Sequence, residues 1–390
     1  MKYYRFGEPS GRLIGYSQGF KVYPSTIARL DETVKLPKRK AVPQGEFYFG
    51  YGPSTGGMIE SVGVDFLTPG ELITEVYVNP SYKQRKIAVR GRSIGDASLI
   101  VERINAFHCA SHSIAFASAV EDALGFEVRE GIGYTRIIAA ELERIRSNLL
   151  VIERMCQPAG FGVPANQLAT LREEVSRIVS RATGHRYFFS SISPGYSMMD
   201  LSGIGNAVIR ISNSFSGIYE DLLESKIFMN RLINNGKVSL DSLIGPAARA
   251  SGYANDARVD SPTLPYSRFG FTPVLHETSD AFARFQVRSE EILQSAGIIV
   301  KALNFARTSS KMEKLEGDGE GAARVESPQG DLFYYVRMEN SKISDILMLS
   351  PSSANIAAFS QSMKGNIFTD FHFNWESFGI WISEIGVVLE

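Results

Sequence analysis

Cysteine is the residue that this sequence most clearly lacks. Its 390 residues include two cysteines, Cys109 and Cys156. Two thiols exclude a disulfide framework, and they also exclude a metal cluster held by four cysteines of this chain. We therefore expect both thiols to be reduced and unpaired, which is the usual state of cysteine in the cytosol.

Long apolar runs are missing as well. No stretch reaches the roughly 18–20 apolar residues that a membrane-spanning helix needs. The most hydrophobic segment, from Ile380 to Leu389, is interrupted by Glu384. The first seven residues lack the apolar core of a secretory signal. The sequence thus predicts a polypeptide that is soluble by itself and is attached to a membrane, if at all, through partner subunits.

Charge of one sign is not in excess, since 41 basic residues face 42 acidic ones and the net charge is −1. That balance gives no indication of nucleic-acid binding. The one glycine-rich stretch, from Gly317 to Gly321, is acidic and lacks the Lys-Ser/Thr pair of a phosphate-binding loop. We expect no nucleic acid as a partner and no nucleotide loop within the chain.

The order of sequence patterns predicts an α+β protein that is mostly helical, with small sheets at its periphery. Residues 1–45 are predicted to form an irregular extension, whose basic run Lys35–Lys40 is either a solvated loop or a docking segment for a neighbouring subunit. Residues 46–390 are predicted to form one domain. Within it, residues 46–78 alternate as in a small antiparallel sheet, and residues 94–306 have the periodicity of buried helices.

Local patterns refine the predicted domain. The helix from Tyr134 to Met155 has its apolar side chains at three- and four-residue steps. A helix over residues 167–183 is predicted to end at Gly184. A long helix is predicted over residues 204–234, and a polar linker over residues 307–324. A strand is predicted over residues 331–337.

The segment from Arg103 to His112 reads Arg-Ile-Asn-Ala-Phe-His-Cys-Ala-Ser-His and leads into a helical run containing Ala-Val-Glu at residues 119–121. It resembles the amino-terminal motif of nickel–iron hydrogenase large subunits, Arg-x-Cys-x-x-Cys-x-x-x-His, followed by a helix with Ala-Val-Glu. Asn105 and His108 stand at the two cysteine positions. Because nickel and iron sites of this kind need soft thiolates, the resemblance implies a site that has lost its metal.

The end of the chain also resembles a metal-binding motif that has lost its cysteines. The segment from Ser377 onward is similar to the second hydrogenase motif, Ser-x-Asp-Pro-Cys-x-x-Cys, with Trp381 and Glu384 at the cysteine positions. It also resembles the end of the complex I subunit that lines the quinone cavity, Ser-Ile-Asp-Ile-Val-x-Gly-Glu, in which Glu384 matches the glutamate. All four thiolates of the family's metal site are absent, so we expect this chain to bind no metal.

Further segments resemble the same family in the same order: Gly52-Pro53, Tyr82–Ala88, Tyr134–Leu149, Gly245–Gly252 and Glu326–Gly330. Together they cover residues from about 46 to 390. Two departures concern the chemistry. Ala88 replaces a glutamate that is proposed to move protons in hydrogenases, and alanine is neither an acid nor a base. The loop after Gly52 also lacks the histidine that helps to bind the quinone headgroup in complex I.

The resemblance implies that certain residues line the former metal pocket; these are Arg85, Ala88, Cys109, His112 and Arg249. His108 and His112 lie one helical turn apart and could bind zinc with Glu384 as a third ligand, but a metal-free, hydrogen-bonded site is favoured. The arginines, with Arg103, need carboxylate or carbonyl partners if they are buried; the alternative is that they bind an anionic or polarised substrate such as a sulfur chain.

The resemblance also predicts how the vacated space is used. We expect the indole of Trp381 to occupy the position of the metal, because a void there would be costly. The carboxylate of Glu384 should then bond to His108, Arg85 or Arg249, since an unpaired buried charge is unfavourable.

The family implies a subunit of a membrane-associated electron-transfer complex related to complex I and to energy-converting hydrogenases. The chain itself should hold no cofactor, whereas a small partner subunit should carry an iron–sulfur cluster beside the pocket. Antiporter-like membrane subunits complete the expected assembly, which would have this chain at the cytoplasmic face and would be associated with quinone and NAD. Two alternatives remain open: the emptied pocket reduces a quinone or a sulfur compound, or the chain is a structural and coupling subunit without a substrate.

Overall fold

The computed structural model describes residues 39–238, 243–261, 263–309 and 311–390, together with the backbone of four short strands near the amino terminus. These strands are β1 (Arg5–Phe6), β2 (Gly15–Ser17), β3 (Phe20–Tyr23) and β4 (Thr26–Arg29). They form one sheet in the order β1-β4-β3-β2. The prediction of an irregular extension over residues 1–45 is therefore wrong for the residues of these four strands. The signal that was missed is the alternation of apolar and polar residues on both sides of Pro24-Ser25, which is typical of a hairpin.

The basic run predicted as a solvated loop or docking segment is only partly covered, because residues 35–38 lie outside the described residues. Its last two residues form ion pairs with the next sheet. Arg39 pairs with Asp65, and the ammonium of Lys40 lies 2.9 Å from the carboxylate of Glu75. The end of the basic run is thus attached to the body of the same chain.

The predicted antiparallel sheet is present and consists of β5 (Phe47–Tyr51), β6 (Gly63–Thr68) and β7 (Glu75–Asn79). A further short strand, β8 (Arg85–Ile87), follows. On β6, Val64 and Phe66 point inward and are buried. The ring of Phe66 packs edge-on against that of Phe371, 5.1 Å away between centroids. This aromatic contact joins the first sheet to the carboxy-terminal part of the chain.

Helices form the centre of the protein, as the periodicity predicted. They are α1 (Ile94–Val101), α2 (Cys109–Leu124), α3 (Glu130–Cys156), α4 (Gly162–Thr183), α5 (Ile204–Glu224), α6 (Lys226–Leu232), α7 (Gly245–Arg249), α8 (Ala257–Asp260) and α9 (Ala281–Ala302). Between α4 and α5 lies a two-strand hairpin of β9 (Ile192–Ser193) and β10 (Tyr196–Ser197). Helix α3 is the core element, because almost its whole length is buried and it packs against α4 and α9.

The long helix predicted over residues 204–234 is wrong in one respect, since it is divided into α5 and α6 at Ser225. The backbone of Ser225 is extended, and its side-chain oxygen accepts a hydrogen bond from the amide of Phe228. A serine that caps a new helix in this way ends the preceding one. Helix α4 ends as predicted, with Gly184 in the left-handed conformation.

A second antiparallel sheet follows, made of β11 (Gly319–Ser327), β12 (Gly330–Glu339) and β13 (Lys342–Leu349). The chain then forms α10 (Pro351–Ser362), α11 (Phe371–Phe378), α12 (Ile382–Ile385) and a last strand, β14 (Val387–Leu389). Strand β14 pairs in parallel with β8, so that Val387 lies opposite Arg85. Chain segments more than 300 residues apart in sequence therefore lie side by side.

The polar linker predicted over residues 307–324 is wrong from Gly319 onward, because β11 begins there and packs on α2. A Cβ atom at Gly321 would lie 2.2 Å from the backbone nitrogen of Ala123, and one at Gly319 would lie 2.1 Å from the carbonyl oxygen of Ala123. These glycines therefore allow a strand to approach a helix closely. Among the described residues, no helix is both long and apolar enough to cross a membrane.

Candidate functional site

The parallel pairing of β8 with β14 brings the segment around Asn105 next to the segment around Glu384. Arg85 joins the two segments, because its guanidinium donates hydrogen bonds to the carbonyl oxygens of Ile104, at 2.6 Å, and of Ser383, at 2.8 Å. The partners of Arg85 are thus backbone carbonyls and not the carboxylate of Glu384. Carbonyl groups are one of the two kinds of partner, carboxylate or carbonyl, that were expected for this arginine if buried. Its role is to hold the two segments together.

Glu384 lies at the centre of a buried polar group, which we call the Glu384 cluster: Asn105, His108, His112, Ser350, Ser352 and Glu384. Oε1 of Glu384 accepts a hydrogen bond from Nδ2 of Asn105, at 2.8 Å, and lies 2.6 Å from Nδ1 of His108. Its Oε2 accepts hydrogen bonds from the hydroxyls of Ser350 and Ser352. Each carboxylate oxygen therefore has two protein groups within hydrogen-bond distance.

Helix caps and turns place three of these donors. Asn105 caps a short turn by accepting a hydrogen bond from the amide of Phe107 through Oδ1, which leaves its Nδ2 available to Glu384. Ser350 caps α10 before Pro351. The hydroxyl of Ser352 accepts a hydrogen bond from the amide of Trp381, at 3.0 Å, and this fixes the start of α12. Local backbone geometry thus orients the side chains before they contact the carboxylate.

The charge state of the Glu384 cluster follows from its two imidazoles. Burial alone would raise the pKa of Glu384, but the charge and hydrogen bond of His108, together with the charge of the nearby His112, hold it well below its usual value. Nε2 of His112 lies 3.6 Å from Oε1 of Glu384 and has no hydrogen-bond partner among the described residues. Nδ1 of His112 lies 2.8 Å from the hydroxyl of Tyr334. Glu384 is therefore held in its ionised form within the cluster.

Trp381 covers one side of the Glu384 cluster. Its indole is stacked on Phe107, with ring centroids 5.1 Å apart, and its edge faces the imidazole of His108 at 5.5 Å. The adjoining cavity, which Ile59, Glu60 and Trp381 help to line, has a volume of about 30 Å³, room for about one water molecule. The indole and the carboxylate thus occupy the space beside Asn105 and His108.

The residues present do not fit a nickel–iron centre. At the positions where the resemblance places four thiolates there are an amide, an imidazole, an indole and a carboxylate, and these groups are bonded to one another or in ring contact. Within the described ranges, no three His, Cys, Asp or Glu side chains are arranged to hold a metal ion. The donors that such a centre needs are therefore replaced by groups that bind each other.

The remaining residues predicted to line the pocket lie elsewhere. Ala88 is exposed just after β8, and Cys109 is buried in the hydrophobic core, where burial raises the pKa of its thiol well above the usual value. The side chain of Arg103 is half exposed; it pairs with Glu102 and lies over the ring of Phe189. Arg249 belongs to a separate buried group of charges and does not contact Glu384.

Sequence reasoning missed several residues of the site: Ser147, Gln329, Tyr334, Ser350, Ser352 and His372. Ser350 could have been found, because a serine before a proline at the start of an apolar run is a helix-start signal. His372 could not, since it comes from α11 and reaches the loop after β5 only in the folded chain. Its Nε2 lies 3.0 Å from the hydroxyl of Tyr51, the last residue of β5, and a Cβ atom at Gly57 in that loop would lie 3.0 Å from its ring. This loop, which lacks a histidine of its own, thus receives one from another element.

Comparison with known proteins finds that the chain is similar to subunits of respiratory complexes. Residues 160–316 match the family model of the respiratory-chain NADH dehydrogenase 49-kDa subunit. The alpha subunit of the membrane-bound hydrogenase of Pyrococcus furiosus is 27% identical, over 82% of each chain. A subunit of the NADH-quinone oxidoreductase of Citrifermentans bemidjiense is 28% identical, over 82% of this chain and 92% of that one.

Among solved structures, a chain of the membrane-bound sulfane sulfur reductase, described as an archaeal respiratory membrane complex, superimposes with a TM-score of 0.81. The match covers 89% of this chain and 100% of that chain, at 22% sequence identity. It confirms the predicted mostly helical α+β fold with small separate sheets. These findings together confirm the predicted relationship: the chain is a relative of the 49-kDa-type subunits of complex I and of the alpha subunits of membrane-bound hydrogenases.

Proposed function

We propose that this chain is a coupling subunit of a membrane-associated electron-transfer complex related to complex I and to energy-converting hydrogenases. It has no nickel–iron site, and it lies beside the iron–sulfur cluster of a small partner subunit at the cytoplasmic face. Antiporter-like membrane subunits complete the assembly, and any association with quinone or NAD belongs to the complex. The relatives support this proposal, because they are named as subunits of membrane-bound hydrogenase and NADH-quinone oxidoreductase.

One observation carries the choice of a coupling role over a reductase role, namely the closed Glu384 cluster. Both carboxylate oxygens are bonded to protein donors, and the adjoining cavity has a volume of about 30 Å³. A quinone ring or a polysulfide chain needs several times that space. An electron acceptor could reach Glu384 only if Trp381 and the segment from Ser350 to Ser352 moved.

The Glu384 cluster can serve coupling because it is a buried site at which charge and protons respond to a nearby redox centre. An extra electron on a neighbouring cluster would act electrostatically on the buried Glu384 carboxylate and on its donors, because the protein interior screens charge only weakly. The connection to electron transfer is then electrostatic and needs no substrate in the pocket.

The test is carried out on the complex purified with its native partners. Metal analysis should find iron but no stoichiometric nickel. Glu384→Gln should leave the rate of polysulfide or quinone reduction within about twofold of wild type while ion transport into vesicles is lost. If the pocket itself reduced the acceptor, loss of an acid–base group there would lower that rate by about 10²- to 10⁴-fold, and the coupling proposal would fail.

A matched control keeps this test specific. Glu153→Gln changes a largely buried carboxylate that lies on α3. This carboxylate pairs with Arg172 at 2.9 Å and lies outside the Glu384 cluster. The substitution should affect neither the rate nor the transport. Stoichiometric nickel in the purified wild-type complex would contradict the proposal independently of either variant.

A further inference from the structure

Seven charged side chains form a second buried polar group, which we call the ionic cluster: Glu141, Arg144, Arg249, Asp256, Arg258, Glu291 and Glu326. All are buried. They come from α3, α7, α8 with its cap, α9 and β11, so that the cluster joins most elements of the helical core to the second sheet. It is not part of the Glu384 cluster, and the proposed function makes no use of it.

The ionic cluster contains four carboxylates but three guanidiniums, and so has one negative charge in excess if all seven groups are ionised. Arg249 contacts Asp256, Glu291 and Glu326 at 2.7–3.1 Å. Arg258 contacts Asp256 and Glu291, and Arg144 contacts Glu141. An uncompensated charge in the interior is unfavourable, and binding of one proton removes it.

The contacts also show which carboxyl group is the weakest anion. Glu326 and Asp256 share one nitrogen, because Nη1 of Arg249 lies 2.7 Å from the first and 3.1 Å from the second. Asp256 has further donors, since Nε and Nη2 of Arg258 both bond to it, at 2.9 and 2.7 Å. The further donor to Glu326 within the described part of the chain is the backbone amide of Ala257, at 3.0 Å. Two carboxylates that compete for one cation titrate as a pair, and the less well bonded one takes the proton.

Other charged groups around Glu326 do not supply the missing positive charge. Its cross-strand neighbour on β12, Asp331, is already paired with Arg324. Arg144 donates to the carbonyl oxygen of Glu326 and not to its carboxylate. Arg288 on α9 donates its hydrogen bonds to Asn148, Gln329 and backbone carbonyls, and within the cluster its charge acts on Glu291. Burial and the charge of Asp256 raise the pKa of Glu326 to about 7, against the opposing effect of the three arginines.

From this geometry we infer that the ionic cluster is a proton-binding site, in which one proton is held by Glu326 beside Asp256 and can be exchanged. The binding step is the addition of a proton to the Glu326 carboxylate, with no other bond made or broken. Asp256 itself stays ionised, because Arg258 and Arg249 lower its pKa despite burial.

A chain of side-chain hydrogen bonds links this site to the Glu384 cluster. From Glu291 it passes through Asn148, Arg288, Gln329 and Ser147 to His108, in steps of 3.4, 3.0, 2.7, 3.0 and 3.4 Å. Arg288 does not release protons readily, so we assign to this chain an electrostatic and orienting connection, not a path for the proton. The two clusters can thereby respond to one another's charge.

The experiment is infrared difference spectroscopy of the protein in its purified complex, recorded between about pH 5 and about pH 9. Wild type should show one carboxyl C=O band of this chain that disappears on deprotonation with a midpoint of about 7 and that shifts in D₂O. Glu326→Gln should abolish it. Asp256→Asn removes the excess charge, so Glu326 should be ionised and the band absent. The control Glu153→Gln should retain it.

Isotope labelling makes the result independent of how the variants fold. In wild-type complex in which this chain alone carries ¹³C-glutamate, the band should shift, whereas ¹³C-aspartate should leave it in place. Absence of a titrating carboxyl band in the wild type, its persistence in Glu326→Gln, or a shift with labelled aspartate would each overturn the inference. None of these results depends on which acceptor the complex reduces. The proposed function can therefore fail while the proton-binding site is confirmed, and the proton-binding site can fail while the proposed function is confirmed.

Discussion

Replacing Trp381 by alanine tests whether the indole is a packed part of the closed site. The side chain is 7% exposed and is in contact with the rings of Phe107 and His108. A new void of about 100 Å³ costs about 2.4 kcal/mol at about 24 cal/mol per Å³. The free energy that folding gains by moving the indole out of water is lost as well, so the total cost is about 3–5 kcal/mol. We expect the free energy of unfolding to fall by that amount.

The assay for Trp381→Ala is urea unfolding of the protein, followed by far-ultraviolet circular dichroism because the substitution removes one of the two tryptophans. Added free indole should bind the void and restore part of the lost stability, as small apolar molecules do in engineered cavities. The control Phe47→Ala truncates a ring that is 51% exposed and should cost about 1 kcal/mol or less. A loss below about 1 kcal/mol for Trp381→Ala, without an effect of indole, would refute the packed site.

Two further predictions concern titratable groups. The folded-state pKa of Glu326 is raised from 4.5 to about 7, so the folded protein binds this proton more tightly than the unfolded chain does. The resulting contribution of Glu326 to the free energy of unfolding is fully present below about pH 4.5 and is lost as the pH rises through about 7. It amounts to about 3 kcal/mol at about 1.36 kcal/mol per unit, and Glu326→Gln should flatten urea midpoints over this range. For the thiols, burial raises the pKa of Cys156 to about 12 and that of Cys109 well above its usual value; mass spectrometry should find no iodoacetamide adduct on either in the native protein and two after unfolding.

Much of the helical core could be predicted from sequence because burial imposes a period on it. The six apolar positions of α3 predicted at three- and four-residue steps, from Ile137 to Ile152, are all buried. The division of α5 from α6 could not be predicted in this way. A single capping serine interrupts the backbone at Ser225 without interrupting the apolar pattern, so that periodicity alone continues across it.

The candidate site could be predicted where the family motifs set the spacing of its residues. It could not be predicted where the direction of a side chain decides which residues it contacts. The motifs brought Glu384 and His108 together, and the structure has this contact at 2.6 Å. The direction of Arg249 depends on carboxylates contributed by α8, α9 and β11, which no local pattern relates to one another. The meeting of His372 with Tyr51 likewise joins residues more than 300 positions apart.

Helix α3 supplies Glu141 and Arg144 to the ionic cluster and also contacts the Glu384 cluster, since the hydroxyl of Ser147 lies 3.4 Å from Nε2 of His108. Because its amides are enclosed by α4, α9 and α11, they can exchange with deuterium only when the whole core opens. The segments that complete the Glu384 cluster from the other side, before α10 and around α12, are short. Slow exchange along α3 beside faster exchange at α12 would mean that half of the site is permanent while the other half opens and closes.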